Sequence, residues 1–519
     1  MNQPHVIGLE TEFGVMPASP VESRFSSPAL AVATAKAVRA WQSTLRPDGR
    51  AIAWDWAGEN PLQDLRGTHL ERASAHPSLL TDDPHAFAPS GDTDRPVEGT
   101  AVDRGELGDL SSPMMTNVVM TNGGRFYVDH AHPEYSSPEV LTSLEAVTWD
   151  VAGEHLARVA MERAAKMGHD VLLYKNNTDS KGSSYGSHEN YQVARAIPFE
   201  TLRDYLVPFL ATRPVICGAG RVGLGQKSEK PGFQISQRAD FIADLVGLQT
   251  TFNRPIVNTR DEPHAGSQWR RFHVINGDAN RFQGSILAKV ASTRAWLAAL
   301  EIATKYHREF PLQGLFFTSD PVEAVWQISR DIDFETKLPC NDGRERSSVA
   351  WQLEAAERTG EFLAEFPETE LADEALKDVA TWIETAKMLN GGEAEGRVEW
   401  VAKRALLAKL ASRLRGGWED PKLAALDIQW ADLRKGHSPV DKLQGYLEEV
   451  VGRCAVIIAT VEPPDSTRAT VRGQAVKSRK DLIAASWDSL VVDDSGQWRR
   501  LTLGEPAATL AETVGGERR

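Results

Sequence analysis

The sequence predicts an α+β protein with a large domain and a small C-terminal α/β domain, and three observations point there. Short segments with strand-like alternation are spread through residues 6–277, separated by helical runs and polar turns. From Ser347 to about Gly445 the pattern turns mostly helical. At 519 residues the chain is longer than one typical core, so a second, smaller unit or a large insertion is expected.

Taken in order, Val6 to Gly14 reads as a first strand. Glu10 and Glu12, two apart, then share one face of it. Ser27 to Leu45 follows with Ala, Val and Trp at helical spacing. Residues 46–110 break the periodicity. They are rich in Gly, Pro, Asp and Ser, and a stretch of that length inside a domain is expected to be a mobile functional insertion. Trp54, Trp56 and the compact run ENPLQDLRG give part of it a defined role. Gly124 to Asp129 resumes as a strand, Leu144 to Met167 as a helix and Val171 to Tyr174 as a short strand. Phe233 to Asp240 and Arg270 to Gly277 alternate like strands, and Gly284 to His307 is helical. Helices are then expected over 349–362, 372–389, 397–414 and 421–433. The turn KGHSPVDK sets a boundary near residue 436, giving domains over 1–435 and 436–519. Arg453 to Val461 reads as a strand, Leu482 to Val492 as a further element, and the polar tail as frayed.

Bulk properties exclude several functions. A formal charge of −14 argues against general nucleic-acid binding, which needs a basic footprint. The 3 cysteines, Cys217, Cys340 and Cys454, are far apart and form no thiolate zinc pair. Their scarcity fits a reducing compartment. The N-terminus has neither a basic nor an apolar leader region, and the longest late apolar run, Ala455 to Val461, is far too short to span a bilayer. A cytoplasmic protein with no membrane partner is expected. Gly218 to Gly223 spells G-x-G-x-x-G, but a Pro-containing polar turn follows instead of a long helix, so a dinucleotide fold is rejected. No phosphate-loop or serine-hydrolase signature occurs either.

The densest chemistry lies in Arg125 to Tyr135, where Asp129, His130, His132 and Glu134 fall within six residues at a strand end. Buried charges need partners, so such crowding suits a hard cation with acid, base or nucleophilic work beside it; a solvated strand-to-helix turn is the plainer reading. Glu10 and Glu12 would repel unless a cation or bases lie between them. Oxygen ligands such as Tyr127, Asp129 and Glu134 suit Mg²⁺ or Mn²⁺, with nucleotide phosphates completing the shell. His188 and Asn190 follow a loop dense in donors. Arg271 and His273 share a strand face and could join a phosphate clamp to a metal ligand. A polar surface loop is the alternative for the first pair, and a core histidine beside an exposed arginine for the second.

Together these segments resemble one family. They are G-x-E-x-E-F-G at 8–14, RFYVDHAHPEYSSPE at 125–139 and KNNTDSKGSSYGSHENY at 175–191. SQRADF at 236–241, RPIVNTRDEPHA at 254–265 and RRFHVINGDAN at 270–280 continue the series. The chain is identified as a member of the Pup ligase/depupylase family, within the glutamine-synthetase-like carboxylate–amine ligases. The likeness returns at 461–473 and 484–491. It implies a large domain built on a curved antiparallel sheet packed with helices. The family has a ligase branch, which joins the prokaryotic ubiquitin-like protein Pup to lysines. Its depupylase branch deamidates the C-terminal glutamine of Pup and removes Pup from substrates. DHAHPEY, where the ligase has DVGSHPEY, resembles the depupylase branch. So does ENPLQDLRG, close to that branch's ENPLRDARG despite Gly58, Gln63 and Leu65 at variable places.

By this resemblance Asp129 is the catalytic aspartate, as nucleophile or as general base. Glu10, Tyr127 and Glu134 are expected to hold Mg²⁺, joined by Glu12, His188 and His273. Arg125, Ser137, Asn190, Arg271 and Trp487 are expected to contact ATP, which the depupylase branch needs without consuming it at each turnover. The partners implied are Pup and pupylated proteins, with the enzyme a monomer. Pup is acidic, so Arg213, Arg221, Lys227, Lys230 and Arg238, opposed only by Glu229, are expected to rim a docking groove for a Pup helix. A solvated basic face is the alternative.

Overall fold

The structure, a computed structural model, describes residues 5–71, 75, 101–102, 116–251 and 253–508. Most of the insertion expected to be mobile, and the end of the tail expected to fray, lie outside the described residues.

The centre is a six-stranded antiparallel sheet. Its order is Trp269–Val274, Ser187–Ala194, Ile7–Glu12, His132–Ser136, Arg125–Asp129, Val118–Val119. Strand alternation divides the chemistry cleanly. Leu9, Phe126, Tyr135, Tyr191, Phe272 and Val274 are all buried, on the apolar side of the sheet. Helices Ser27–Thr44 and Ser143–Lys166 cover that side: Leu30, Ala31, Leu156 and Ala157 share a core with Phe126 and Tyr135. The second of these helices starts at a reciprocal cap. Thr142 Oγ1 accepts from the Glu145 N–H (3.1 Å), and Glu145 Oε2 accepts from the Thr142 N–H (3.0 Å). Gly153 lets it lie close to the sheet, since a methyl there would collide with the Tyr135 ring. Helix Gln283–Lys305 is almost wholly buried among its neighbours, the helices Ser348–Leu363 and Glu370–Gly391, around Trp296, Trp351 and Trp382.

A second sheet, of four strands, runs Gln497–Thr502, Ser489–Asp494, Leu482–Ala485, Ala53–Trp54. Its last strand comes from the insertion and pairs in parallel with Leu482–Ala485. Asp55, just after it, receives Arg500 (2.7 and 3.0 Å) and Ser489 Oγ (2.9 Å). Residues following 436 still pack on the large core: Val440 joins Phe282 and Trp430, and Val451, Val456 and Ala459 join the main cluster.

Glu139 ties the two sheets together. It receives Arg468 (3.0 Å) and Arg472, whose side chains are almost fully buried. Arg472 also donates to Trp487 O (2.7 Å) and Gly123 O (2.8 Å). Burial raises the Glu139 carboxyl pKa, but Arg472 and Arg468 outweigh it and hold the group at about 2. Its folded-state value lies below its unfolded one, so the stability it gives is present above the ordinary carboxylate range and is lost as pH falls towards about 2. Glu139→Gln leaves two buried cations unpaired and is expected to cost about 3–5 kcal/mol at neutral pH, read by denaturant unfolding, with a smaller difference in acid.

Two segments depart from the sequence reading. Arg453–Ala459 is a helix, not a strand. Its β-branched Val456, Ile457 and Ile458 favour a strand locally, but burial of Val456 and Ala459, three apart, selects the helix. The run from Phe233 is a strand only to Gln234. Beyond it Asp278 holds a turn, accepting from Ser236 Oγ (2.9 Å) and from the backbone N–H groups of Gln237 (3.0 Å) and Ala219 (2.8 Å).

Candidate active site

The polar face of the six-stranded sheet carries the site. Register aligns Glu12 with Glu134 and Glu134 with Tyr127. It also aligns Glu10 with both Ser136 and His188, and Asn190 with His273. With Asp129, these side chains come from five strands onto one surface. A cavity of about 460 Å³ lies over it.

Two ligand sets emerge. Glu12, Asp129 and Glu134 bring carboxylate oxygens within 4.8 Å of one another, as do ligand atoms of Glu10, His188 and His273. In the first set Asp129 and Glu12 lie near His130 (2.9 Å) and His132 (3.5 Å), but Glu134 is uncompensated. Glu134 is buried, its Oε2 has no hydrogen-bond partner, and burial with the charges of Asp129, Glu10 and Glu12 pushes its pKa well up. Burial and the neighbouring Glu134, Glu10 and Asp129 likewise raise the Tyr127 phenol. A divalent cation fits this donor chemistry: hard oxygens, excess negative charge and a buried carboxylate atom without a partner.

The second set is ordered by Asn190. Its Nδ2 donates to Glu10 Oε1 (2.9 Å), so its Oδ1 accepts from His273 Nδ1 (2.8 Å) and Arg271 Nη1 (3.2 Å). That orientation leaves His273 Nε2 with a free lone pair. Burial, then Arg271 and His188, depress the His273 pKa and keep the ring neutral, as a metal ligand must be. His188 Nδ1 lies 3.1 Å from Glu10 Oε2. Gly186 leaves room here, since any Cβ would collide with His188 Nε2 and Glu12 Oε1.

Asp129 closes its strand at a two-residue hairpin paired to His132. The first loop residue, His130, has φ +50°, a strained conformation for a side chain of this size. In that position its Nδ1 lies 2.9 Å from Asp129 Oδ1. Burial raises the Asp129 pKa, but the hydrogen bond and charge of His130 prevail and lower it, so the carboxylate is ionised. The same contact raises the pKa of His130.

The insertion builds one rim. Trp54 stacks over the Arg125 guanidinium at 3.9 Å and donates from Nε1 to Glu59 Oε1 (2.9 Å). Glu59 in turn pairs with Arg125 (3.3 Å). The Asn60 N–H donates to Glu262 (2.8 Å), which also holds Arg271 (3.1 Å). Glu59, Glu262 and His264 were not foreseen as site residues; only contacts between distant segments bring them here. Trp487, edge-on to Trp54 at 5.3 Å, lines a smaller, mainly apolar pocket of about 90 Å³ beside Glu10. Ser137 lines that pocket too, with its Oγ accepting from the Leu9 N–H (2.9 Å) and donating to Pro138 O (3.1 Å).

The basic docking rim is corrected. Arg213, Arg221 and Arg238 are 1%, 0% and 1% exposed. Arg213 forms a fork on Glu189 (2.7 and 2.8 Å), Arg221 donates to Gln226 O and Ser228 Oγ (3.0 Å each), and Arg238 donates to Ile275 O (2.7 Å). These arginines satisfy acids and carbonyls inside irregular segments, where a planar fork is well suited. Only Lys227 and Lys230 of the group are exposed.

Among the described residues no helix is long and apolar enough to cross a membrane. The Pup-ligase protein family matches residues 5–491. A depupylase of Acidothermus cellulolyticus is 38% identical over 95% of this chain and 92% of its own length. A Pup deamidase/depupylase of Mycobacterium tuberculosis is 36% identical, covering 95% of this chain and 91% of its own. A Pup–protein ligase of Corynebacterium glutamicum is 35% identical over 75% and 83%. The solved complex of Pup with its ligase PafA matches with a TM-score of 0.73 at 27% identity, covering 99% of this chain and 91% of that one. PafA in complex with ADP matches with a TM-score of 0.68 at 31% identity, covering 86% and 98%. Matched from its first strand into its second sheet, and closely related along 95% of its length to a protein of the same kind, the chain belongs to the Pup-ligase protein family.

Proposed function

We propose that this protein hydrolyses the isopeptide bond between Pup and substrate lysines and deamidates the C-terminal glutamine of Pup, with Mg²⁺ and ATP as cofactors. The observation that carries the reading is the ionised Asp129 set beside two further carboxylates, Glu12 and Glu134, on one sheet face. The relatives named depupylase, matched over 95% of the chain, support the hydrolytic branch over the ligase branch, matched over 75%.

Mg²⁺ would be held by Glu12 and Glu134 and by Glu10, His188 and His273, and with bound nucleotide it would polarise the scissile carbonyl and offset developing negative charge. The nucleotide base suits the apolar pocket beside Trp487, and a solved relative in complex with ADP supports nucleotide binding. Asp129 attacks the side-chain carbonyl carbon of the terminal residue of Pup, forming a C–O bond while the C–N bond breaks. The leaving nitrogen takes a proton from solvent water and departs as ammonia or the lysine amine. Water then opens the anhydride, which restores the Asp129 carboxylate and leaves glutamate on Pup. In the general-base version Asp129 takes a proton from water, and the hydroxide attacks instead. His130 fixes the rotamer of Asp129 in both versions.

The test is incubation with ATP, Mg²⁺ and Pup ending in glutamine. Mass spectrometry is expected to find the terminal residue converted to glutamate. An unchanged terminus with both cofactors present would contradict the proposal.

A further inference from the structure

We propose that the Arg254 guanidinium receives the free α-carboxylate of the chain-terminal residue whose side-chain amide is cleaved. This rests on the hydrolase reading above and adds how the enzyme recognises a chain end.

Arg254 is 6% exposed and lines the same cavity as Asp129, Glu12 and Glu134. Its Nε donates to Thr250 O (2.8 Å) and its Nη2 to Ser184 O (2.7 Å). Those bonds fix the plane of the fork and leave Nη1 without a hydrogen-bond partner among the described residues. No carboxylate pairs with Arg254 among the described residues. In this it differs from Arg125, Arg213 and Arg271, which pair with Glu59, Glu189 and Glu262. Arg238, itself buried, adds its positive charge. Burial and Arg238 push the Arg254 pKa down to about 9, so it stays cationic at neutral pH. A cation held in this way at a cavity wall, without a protein acid, is built for an anionic ligand. Ser183, Ser184, Thr250, Thr251 and Asn253 add neutral polar groups to the cavity lining, and the Phe241 ring lies 5.8 Å from the guanidinium.

Position selects which anion. The apolar pocket suited to a nucleotide base is lined by Val6 to Glu10, at the start of the first strand. Arg254 lines the main cavity but not that pocket, and among the acids of the polar face it is Glu12, at the other end of the strand, whose charge acts on it. Phosphates would approach the cation ligands from the Glu10 side. The terminal residue of the substrate would enter on the Glu12 side, with its side-chain carbonyl at Asp129 and its α-carboxylate at Arg254. An internal glutamine offers an amide in place of that carboxylate and would leave Arg254 buried and unpaired, which is how a chain end is selected.

The experiment compares two synthetic forms of Pup, one ending in glutamine with a free α-carboxylate and one with an α-carboxamide. The parent enzyme is expected to lose roughly 10- to 100-fold in kcat/KM on the carboxamide, the range of a charge-assisted hydrogen bond. Arg254→Gln is expected to be slow on both and to discriminate by no more than about 3-fold, while Arg254→Lys keeps part of the preference. If Arg254→Gln is too slow to assay, the affinities of both forms are measured in the Asp129→Asn background, with the melting temperature and ADP affinity as folding controls. Equal rates of the parent enzyme on the two forms would overturn the proposal, as would an Arg254→Gln variant that keeps the parent's penalty. A variant that loses ADP affinity but keeps the penalty would assign Arg254 to a phosphate instead. A parent enzyme inert on both forms would overturn the hydrolase reading itself, and this inference with it.

Discussion

Asp129→Asn is expected to abolish deamidation and depupylation together, with kcat lowered by at least roughly 10²–10⁴-fold. The substitution removes the nucleophilic or basic oxygen but keeps shape and hydrogen-bonding capacity. His130, at φ +50°, is held by its contact with Asp129, and an amide oxygen can still receive it. Folding and ADP affinity should therefore stay near the parent's. Measuring both activities in one preparation matters, because a single carboxylate serves both leaving groups. Loss of one activity with retention of the other would place the chemistry elsewhere.

Glu134→Gln is expected to separate stability from activity. In the protein without cation, Glu134 is a buried carboxylate with an unpartnered oxygen, and burial and three neighbouring acids raise its pKa. A carboxyl whose folded-state pKa is raised destabilises the fold at pH values above its ordinary range, and that penalty vanishes once pH falls below it. The neutral amide removes the repulsion, so the variant without cation should melt no lower than the parent at neutral pH. The cation loses a ligand, and activity should fall roughly 10²–10⁴-fold, the several kcal/mol a metal supplies to such a transition state. The rise in melting temperature on adding Mg²⁺ should shrink as well. A variant that keeps the parent's Mg²⁺ response would remove Glu134 from the cation site.

The site was legible where chemistry follows strand alternation. Glu10 and Glu12, and Arg271 and His273, were each readable as sharing a face from their spacing of two. The structure joins those faces into one. Long helices such as Ser143–Lys166 were legible from apolar spacing alone. What failed were features set by distant contacts. A basic run in sequence suggested a surface, yet Arg213, Arg221 and Arg238 turn inward to a carboxylate and to carbonyls supplied by other segments. The β-branched run at Val456 to Ile458 suggested a strand, and packing made it a helix. Nothing local marked Ala53–Trp54 as the edge of the C-terminal sheet, or Glu59 as the partner of Arg125, because the first pairing crosses most of the chain and the second spans 66 residues. Arg254 was within a recognised motif, but a cation without a protein acid becomes visible only once its neighbours are known.

Asp129 serves hydrolysis rather than ligation. The most direct measurement incubates the protein with ATP and Mg²⁺, in parallel, with a Pup–protein conjugate and with glutamate-ended Pup plus a lysine-bearing acceptor. Free Pup is expected to be released from the conjugate, with no joining of Pup to the acceptor. An intact conjugate together with new Pup–acceptor product would contradict this.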